Sequence, residues 1–87
     1  MTAYKANPSV VCTEVEDSMV LLHLDTKRYF TLNGTGVAIW RGLASGKNEE
    51  EIVAGLLEEY DASQERLAES ARRLLDKLEK ADLIIRQ

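Results

Sequence analysis

Up to Leu32 this chain reads as short segments with the alternation of strands, and from Val37 onward its apolar residues recur at helical spacing, with Asn33-Gly34-Thr35-Gly36 at the joint. A period of two suits a half-buried strand and a period near 3.6 suits a helix packed on one face. The order is therefore strands first and helices after, which excludes an alternating βαβ arrangement. With 87 residues there is material for one small core and not for two, so a single domain is expected. The 45% apolar and 30% charged shares are those of an ordinary globular protein.

Residues 1–9 read as a flexible entry and residues 10–85 as the folded domain. Val11, Thr13 and Val15 alternate with Val10, Cys12 and Glu14. Asp17-Ser18 offers a break before Val20, Leu22 and Leu24 alternate again, so a β-hairpin is predicted. Asp25-Thr26-Lys27 supplies turn chemistry ahead of Tyr29-Phe30-Thr31-Leu32, which makes a short third strand at an edge of an antiparallel meander. Beyond the joint, Val37, Trp40, Leu43 and Ala44 predict a first helix that Ser45-Gly46 stops, with Asn33 or Thr35 as its cap. Asn48 and Glu51 have the spacing of a capping box ahead of Ile52, Val53, Leu56, Leu57 and Tyr60. Ser63 can cap a third helix, to about Ala81, whose apolar stripe is Leu67, Ala71, Leu74, Leu75 and Leu78. Leu83-Ile84-Ile85 is apolar enough to close the chain as a strand or a strap. The fold class is α+β: a three-stranded antiparallel sheet followed by three helices.

Most catalytic readings lack a partner residue. Gly34 and Gly36 lack the third glycine or the Gly-Lys-Ser/Thr that a phosphate cradle needs, and they serve no parallel βαβ unit. His23 is the only histidine and reads as structural. Cys12 is the only cysteine, so it can form no internal disulfide; without an activating neighbour in sequence it is expected as a buried free thiol. Glu49, Glu50 and Glu51 splay around a helix and cannot converge on one metal ion. No cofactor and no metal are expected.

Charge and hydropathy narrow the partners. The net charge of −4 disfavours affinity built on phosphates. Around the third helix Arg66, Arg72, Arg73, Lys77 and Lys80 are matched by Glu65, Glu69, Asp76, Glu79 and Asp82, so a DNA-reading helix would have no electrostatic pull. A small winged-helix regulator is a minority reading, and a cysteine enzyme a weaker one. The longest apolar run, Met19 to Leu22, is far short of the roughly 20 residues of a membrane span. The N-terminus lacks the basic start and apolar stretch of a secretory signal, so a cytosolic protein is expected. What remains is recognition of protein or peptide, by an edge strand whose free N–H and C=O groups can take up an extended segment, with the third helix as a wall.

The stretches LLHLDTKRYFTLNGTGVAIWRGL and EEIVAGLLEEYD, followed by the amphipathic third helix, resemble the PqqD-like family of RiPP recognition elements. The resemblance spans residues 10–83, is most specific from Phe30 to Trp40, and points within that family to the stand-alone leader-binding proteins of lasso-peptide biosynthesis. It implies a winged helix-turn-helix fold without catalytic activity. It also implies that the leader segment of a ribosomally made precursor lies as an added antiparallel strand between the third strand and the third helix. The further partners implied are a transglutaminase-like leader peptidase and an ATP-dependent, asparagine-synthetase-like macrolactam cyclase. Carried onto this sequence, Arg28, Tyr29, Phe30, Thr31 and Leu32 supply the ladder, and Tyr29, Leu67, Ala71, Leu74, Leu75 and Leu78 the apolar pockets. Arg72, Arg73, Asp76 and Lys77 would form a charged rim. Asn33, Thr35, Gly36, Ile39 and Trp40 match the family motif as cap, turn and core. A peptide chaperone of a PQQ or radical-SAM pathway is the neighbouring alternative.

Overall fold

Strand β3, Ser18–His23, alternates most cleanly: Met19, Leu21 and His23 are buried and the residues between them are half-buried. It is the centre of the sheet. In the computed structural model, which describes residues 3–86, β2 (Val10–Val15) and β4 (Tyr29–Asn33) flank it antiparallel in the order β2-β3-β4. Met19 lies opposite Leu32 and Leu21 opposite Phe30, so one face of β3 and β4 forms a floor for the helices. The hairpin turn sits at Glu16-Asp17, with Glu16 at φ 56°, because Ser18 already pairs with Val15.

Helix α1, Thr35–Ala44, starts without a side-chain cap. Neither Asn33 nor Thr35 serves as one. Gly34 instead takes φ 55°, a conformation open to glycine at little cost, and its carbonyl accepts the N–H of Val37 at 3.2 Å. The expected capping box of α2, Glu49–Glu59, is present: Asn48 Oδ1 accepts the Glu51 N–H at 2.9 Å and Glu51 Oε1 accepts the Asn48 N–H at 3.0 Å. Ile52, Val53 and Leu56 of α2 are buried, whereas Leu57, expected on the same face, is exposed. Ser63 Oγ accepts the Arg66 N–H at 3.3 Å at the start of α3, Gln64–Lys80. The three helices thus follow the three-stranded sheet in the predicted order, and Ile39, Trp40 and Leu43 of α1 and Leu75 and Leu78 of α3 share one core with Met19, Leu21 and Leu32 of the sheet.

Residues 4–6, expected within a flexible entry, form β1 (Tyr4–Ala6) and pair antiparallel with β5 (Ile84–Arg86) as a separate two-stranded sheet. Met1 and Thr2, the start of that expected entry, lie outside the described residues. Tyr4 and Ile84 are buried, and the Arg86 guanidinium lies 5.7 Å from the centre of the Tyr4 ring. Burial of Tyr4, together with pairing to the apolar tail, orders a stretch whose composition carries no strand signal.

His23 joins the two sheets. Its Nδ1 accepts the backbone N–H groups of Asp25 (3.2 Å) and Thr26 (3.3 Å), which leaves the ring proton on Nε2, 3.1 Å from Asp82 Oδ2. Asn7 donates its side-chain amide to the Asp82 carbonyl at 2.8 Å and its backbone N–H to Leu83 at 3.0 Å. One ring nitrogen therefore holds the turn after β3 and the other holds Asp82, beside the paired ends of the chain, as the structural reading of this histidine expects.

Candidate functional site

Hydrogen-bond phase decides what the edge strand offers. The His23 N–H donates to the Arg28 carbonyl at 2.9 Å, so His23 and Arg28 form a bonded pair. Bonded and non-bonded pairs alternate along an antiparallel ladder. By the register, Leu21:Phe30 and Met19:Leu32 are then the bonded pairs, and Leu22:Tyr29, Val20:Thr31 and Ser18:Asn33 are not. The other side of β3 agrees with this phase: the Leu24 N–H donates to Ser9 at 2.8 Å, which commits Leu22 and Val20 to β2. Tyr29, Thr31 and Asn33 therefore turn their backbone N–H and C=O groups away from the sheet, and no strand lies beyond β4 among the described residues.

Beside that edge runs a groove of about 320 Å³ between β4 and α3. Phe30, Thr31 and Leu32 form one wall, Ser70, Arg73, Leu74 and Lys77 the other, and the first turn of α1 closes one end. Gly36 sits at the base: a Cβ there would meet Leu32 at 3.5 Å and Leu74 at 3.6 Å, so the missing side chain sets the depth. The rim is positive. Arg73 pairs with Glu69 of its own helix at 2.8 Å; among the described residues Lys77 makes no ion pair and no carboxylate lines the groove.

The geometry separates residues that periodicity had grouped. Leu67, Ala71, Leu75 and Leu78, expected as pocket members, are 5%, 0%, 1% and 0% exposed and belong to the core. Leu74 alone of the stripe is half-buried and lines the groove. Positions 67, 71, 75 and 78 are spaced four, four and three, the spacing of one helix face, and Leu74 stands one residue off it. Arg72, expected at the rim, turns toward α2, with Nε 3.4 Å from Glu49 Oε1. Asp76 pairs with Lys80 at 3.0 Å and does not line the groove. Tyr29 is 73% exposed on the opposite face of the sheet, and Arg28 precedes the strand; neither lines the groove. Ser70 was not expected there. Its spacing to Arg73, Leu74 and Lys77, three, four and seven, was the available signal.

Cys12 is exposed, not buried. Its partner in the ladder, Leu21, faces the core, but β2 is exposed from Val11 to Val15, so the buried core stops short of that strand. Among the described residues no group of three or more His, Cys, Asp or Glu side chains could hold a metal ion, and no helix is long and apolar enough to cross a membrane.

Residues 18–84 match the profile of coenzyme PQQ synthesis protein D, PqqD. The chain belongs to the PqqD family. Two solved structures share the architecture of this PqqD-family chain. TbiB1 in complex with the TbiA(beta) leader peptide is 36% identical, with 92% of this chain and 93% of that one covered and a TM-score of 0.88. Lasso peptide synthetase B1 complexed with the leader peptide is 21% identical, with 94% and 96% covered and a TM-score of 0.87, a likeness of fold alone. No curated protein matches significantly. The fold and the family are therefore those that the Phe30-to-Trp40 motif implied.

Proposed function

We propose that this chain is a non-catalytic recognition element that binds the leader segment of a ribosomally synthesised precursor of the lasso type. The leader adds to β4 as an antiparallel strand. One observation carries the reading: Tyr29, Thr31 and Asn33 present their backbone groups to an open edge directly beside a walled groove. Main-chain bonds to that edge give affinity for any extended peptide, and the side chains that drop between Phe30, Leu32 and Leu74 give selection. The TbiA(beta) leader bound to a relative at 36% identity supports the same ligand class. Lys77 and Arg73 favour leaders with an acidic residue at that rim.

Function here is affinity rather than bond making. A micromolar complex needs about 8 kcal/mol net, which a short ladder and two or three buried anchors supply after the cost of ordering the peptide. Holding the leader raises the effective concentration of the remaining precursor beside the enzymes that process it. Those enzymes are a transglutaminase-like leader peptidase and an asparagine-synthetase-like macrolactam cyclase, in the cytosol. The match to the PQQ synthesis protein D profile favours, as a second reading, a peptide chaperone of a PQQ or radical-SAM pathway; co-purification of a radical-SAM enzyme in place of the peptidase would select it. DNA binding is disfavoured because Arg72, Arg73 and Lys80 are each engaged by a carboxylate.

Fluorescence anisotropy of labelled TbiA(beta) leader peptide titrated with the protein tests the proposal, with labelled duplex DNA as control. Saturable binding at micromolar concentration or tighter to the leader alone is expected. Binding to duplex DNA alone at low salt would overturn it.

A further inference from the structure

A second and larger depression, about 490 Å³, lies on the other side of α1, between α2 and the β2–β3 turn. Its floor is apolar and small: Val37, Ala38, Gly42, Ile52, Gly55 and Leu56. A Cβ on Gly55 would meet nothing within 4 Å, so the backbone of α2 is bare there. Its rim differs in sign from that of the first groove. Glu16, Asp17 and Glu59 line it without an ion pair among the described residues, while Arg41 on the same rim is held by Glu14. Lys47, also on the rim, makes no ion pair among the described residues.

The two depressions meet at the joint between strand and helix. Asn33 and Thr35 line the first and Gly34 lines the second, so only the first turn of α1 separates them. Direction then matters. A strand added antiparallel to β4 has its C-terminal end at Tyr29 and its N-terminal end at Asn33, and antiparallel addition is the more stable pairing. Its N-terminal flank leaves the edge where the second depression begins.

We infer that the depression between α1, α2 and the Glu16-Asp17 turn is a second subsite for the same peptide, taking the flank N-terminal to the strand-forming residues and selecting there for apolar side chains interleaved with Lys or Arg. The inference rests on the leader-binding reading. Apolar residues fill the floor beside Gly55, and the cations meet Glu16, Asp17 and Glu59, which make no ion pair among the described residues. The two rims together read peptide polarity, with an acidic preference along β4 and a basic one upstream of it.

The test uses the TbiA(beta) leader peptide, trimmed from its N-terminus to the shortest segment that keeps binding and then extended there by Lys-Leu-Lys-Leu or Glu-Leu-Glu-Leu. The lysine extension should tighten binding at least fivefold over the glutamate one. In Glu16→Lys/Glu59→Lys the order should vanish or reverse. In the charge-matched Glu50→Lys/Glu58→Lys, at exposed positions of α2 that do not line the depression, it should persist. Gly55→Met, which puts a good helix former into the space, should abolish the gain from the extension and leave the short segment's affinity unchanged. Equal affinities for the two extensions overturn this subsite alone, as does an equal loss in both charge variants, which marks general electrostatics. Failure of the full leader to bind overturns the leader-binding reading and this inference with it.

Discussion

The sheet has two free edges, and they are not equivalent. By the ladder phase, β4 turns the backbone groups of Tyr29, Thr31 and Asn33 outward, and β2 does the same with Cys12 and Glu14. Beside β4 stands α3, which contributes Leu74, Arg73 and Lys77 to a groove. Beside β2 no wall stands among the described residues: Cys12 and Glu14 are exposed, and Glu14 is drawn to Arg41 of α1. Unpaired backbone groups are common to both, so they cannot by themselves define the site. The groove does, because an added strand at β4 buries every second side chain, whereas one at β2 leaves its side chains in water. β2 is also defended by its charges, since Glu14, Glu16 and Asp17 crowd one end of it.

The wall is where this contrast can be broken hardest. Leu75→Ala should cost about 2–5 kcal/mol of stability, the range for a fully buried leucine, while the adjacent Leu74→Ala should cost well under half of that because its side chain is only partly buried. In leader binding the order should invert: Leu74→Ala weakens the complex and Leu75→Ala, once folded, does not. Urea melts and anisotropy on the same two variants decide this, and parallel losses in both assays would mean that core and groove are not separate. A matched pair of prolines then compares the edges themselves. Thr31→Pro and Cys12→Pro each remove an outward N–H and spare the β3 ladder, so both should fold with similar midpoints. Thr31→Pro should lower leader affinity at least tenfold, about 1.4 kcal/mol or more, and Cys12→Pro should leave it within about twofold. A loss at Cys12 alone would move the site to β2.

How much of this was legible in sequence follows from what each signal measures. The change of period at residues 33–36 placed strands and helices in the right order, and the capping residues Asn48 and Ser63 act as their spacing said. Period two says that a strand has two faces and not which one is covered. Cys12 lies opposite buried Leu21 yet stays exposed, because cover depends on how far the helices reach across the sheet. The same limit applies to α3, where an unbroken leucine stripe hid the boundary between core and groove. β1 left no local trace, since Tyr4 is ordered by a pairing partner 82 positions away, Arg86. The strand edge was readable from topology, but which of its residues face outward needed the register and the single His23–Arg28 bond that fixes its phase.

Smaller effects sharpen the comparison. Gly36→Ala adds a methyl group at ordinary contact distance from Leu32 and Leu74, inside a helix, so stability should rise by about 0.4–1 kcal/mol. The same methyl group shallows the groove, so leader affinity should fall by a few-fold. An unchanged affinity would show that bound side chains do not reach the floor. The smallest expected change is at the other edge. Cys12 is exposed, so iodoacetamide should modify it in the folded protein at nearly the rate of an unstructured thiol, as followed by mass spectrometry. The adduct sits on β2, separated from the β4 edge by β3, so leader affinity and the thermal midpoint should both stay where they were. Slow modification would mean that β2 is shielded in solution, by a second chain or by a closer helix packing. A fall in affinity on modification would mean that the two edges communicate through β3, whose residues bond alternately to each of them.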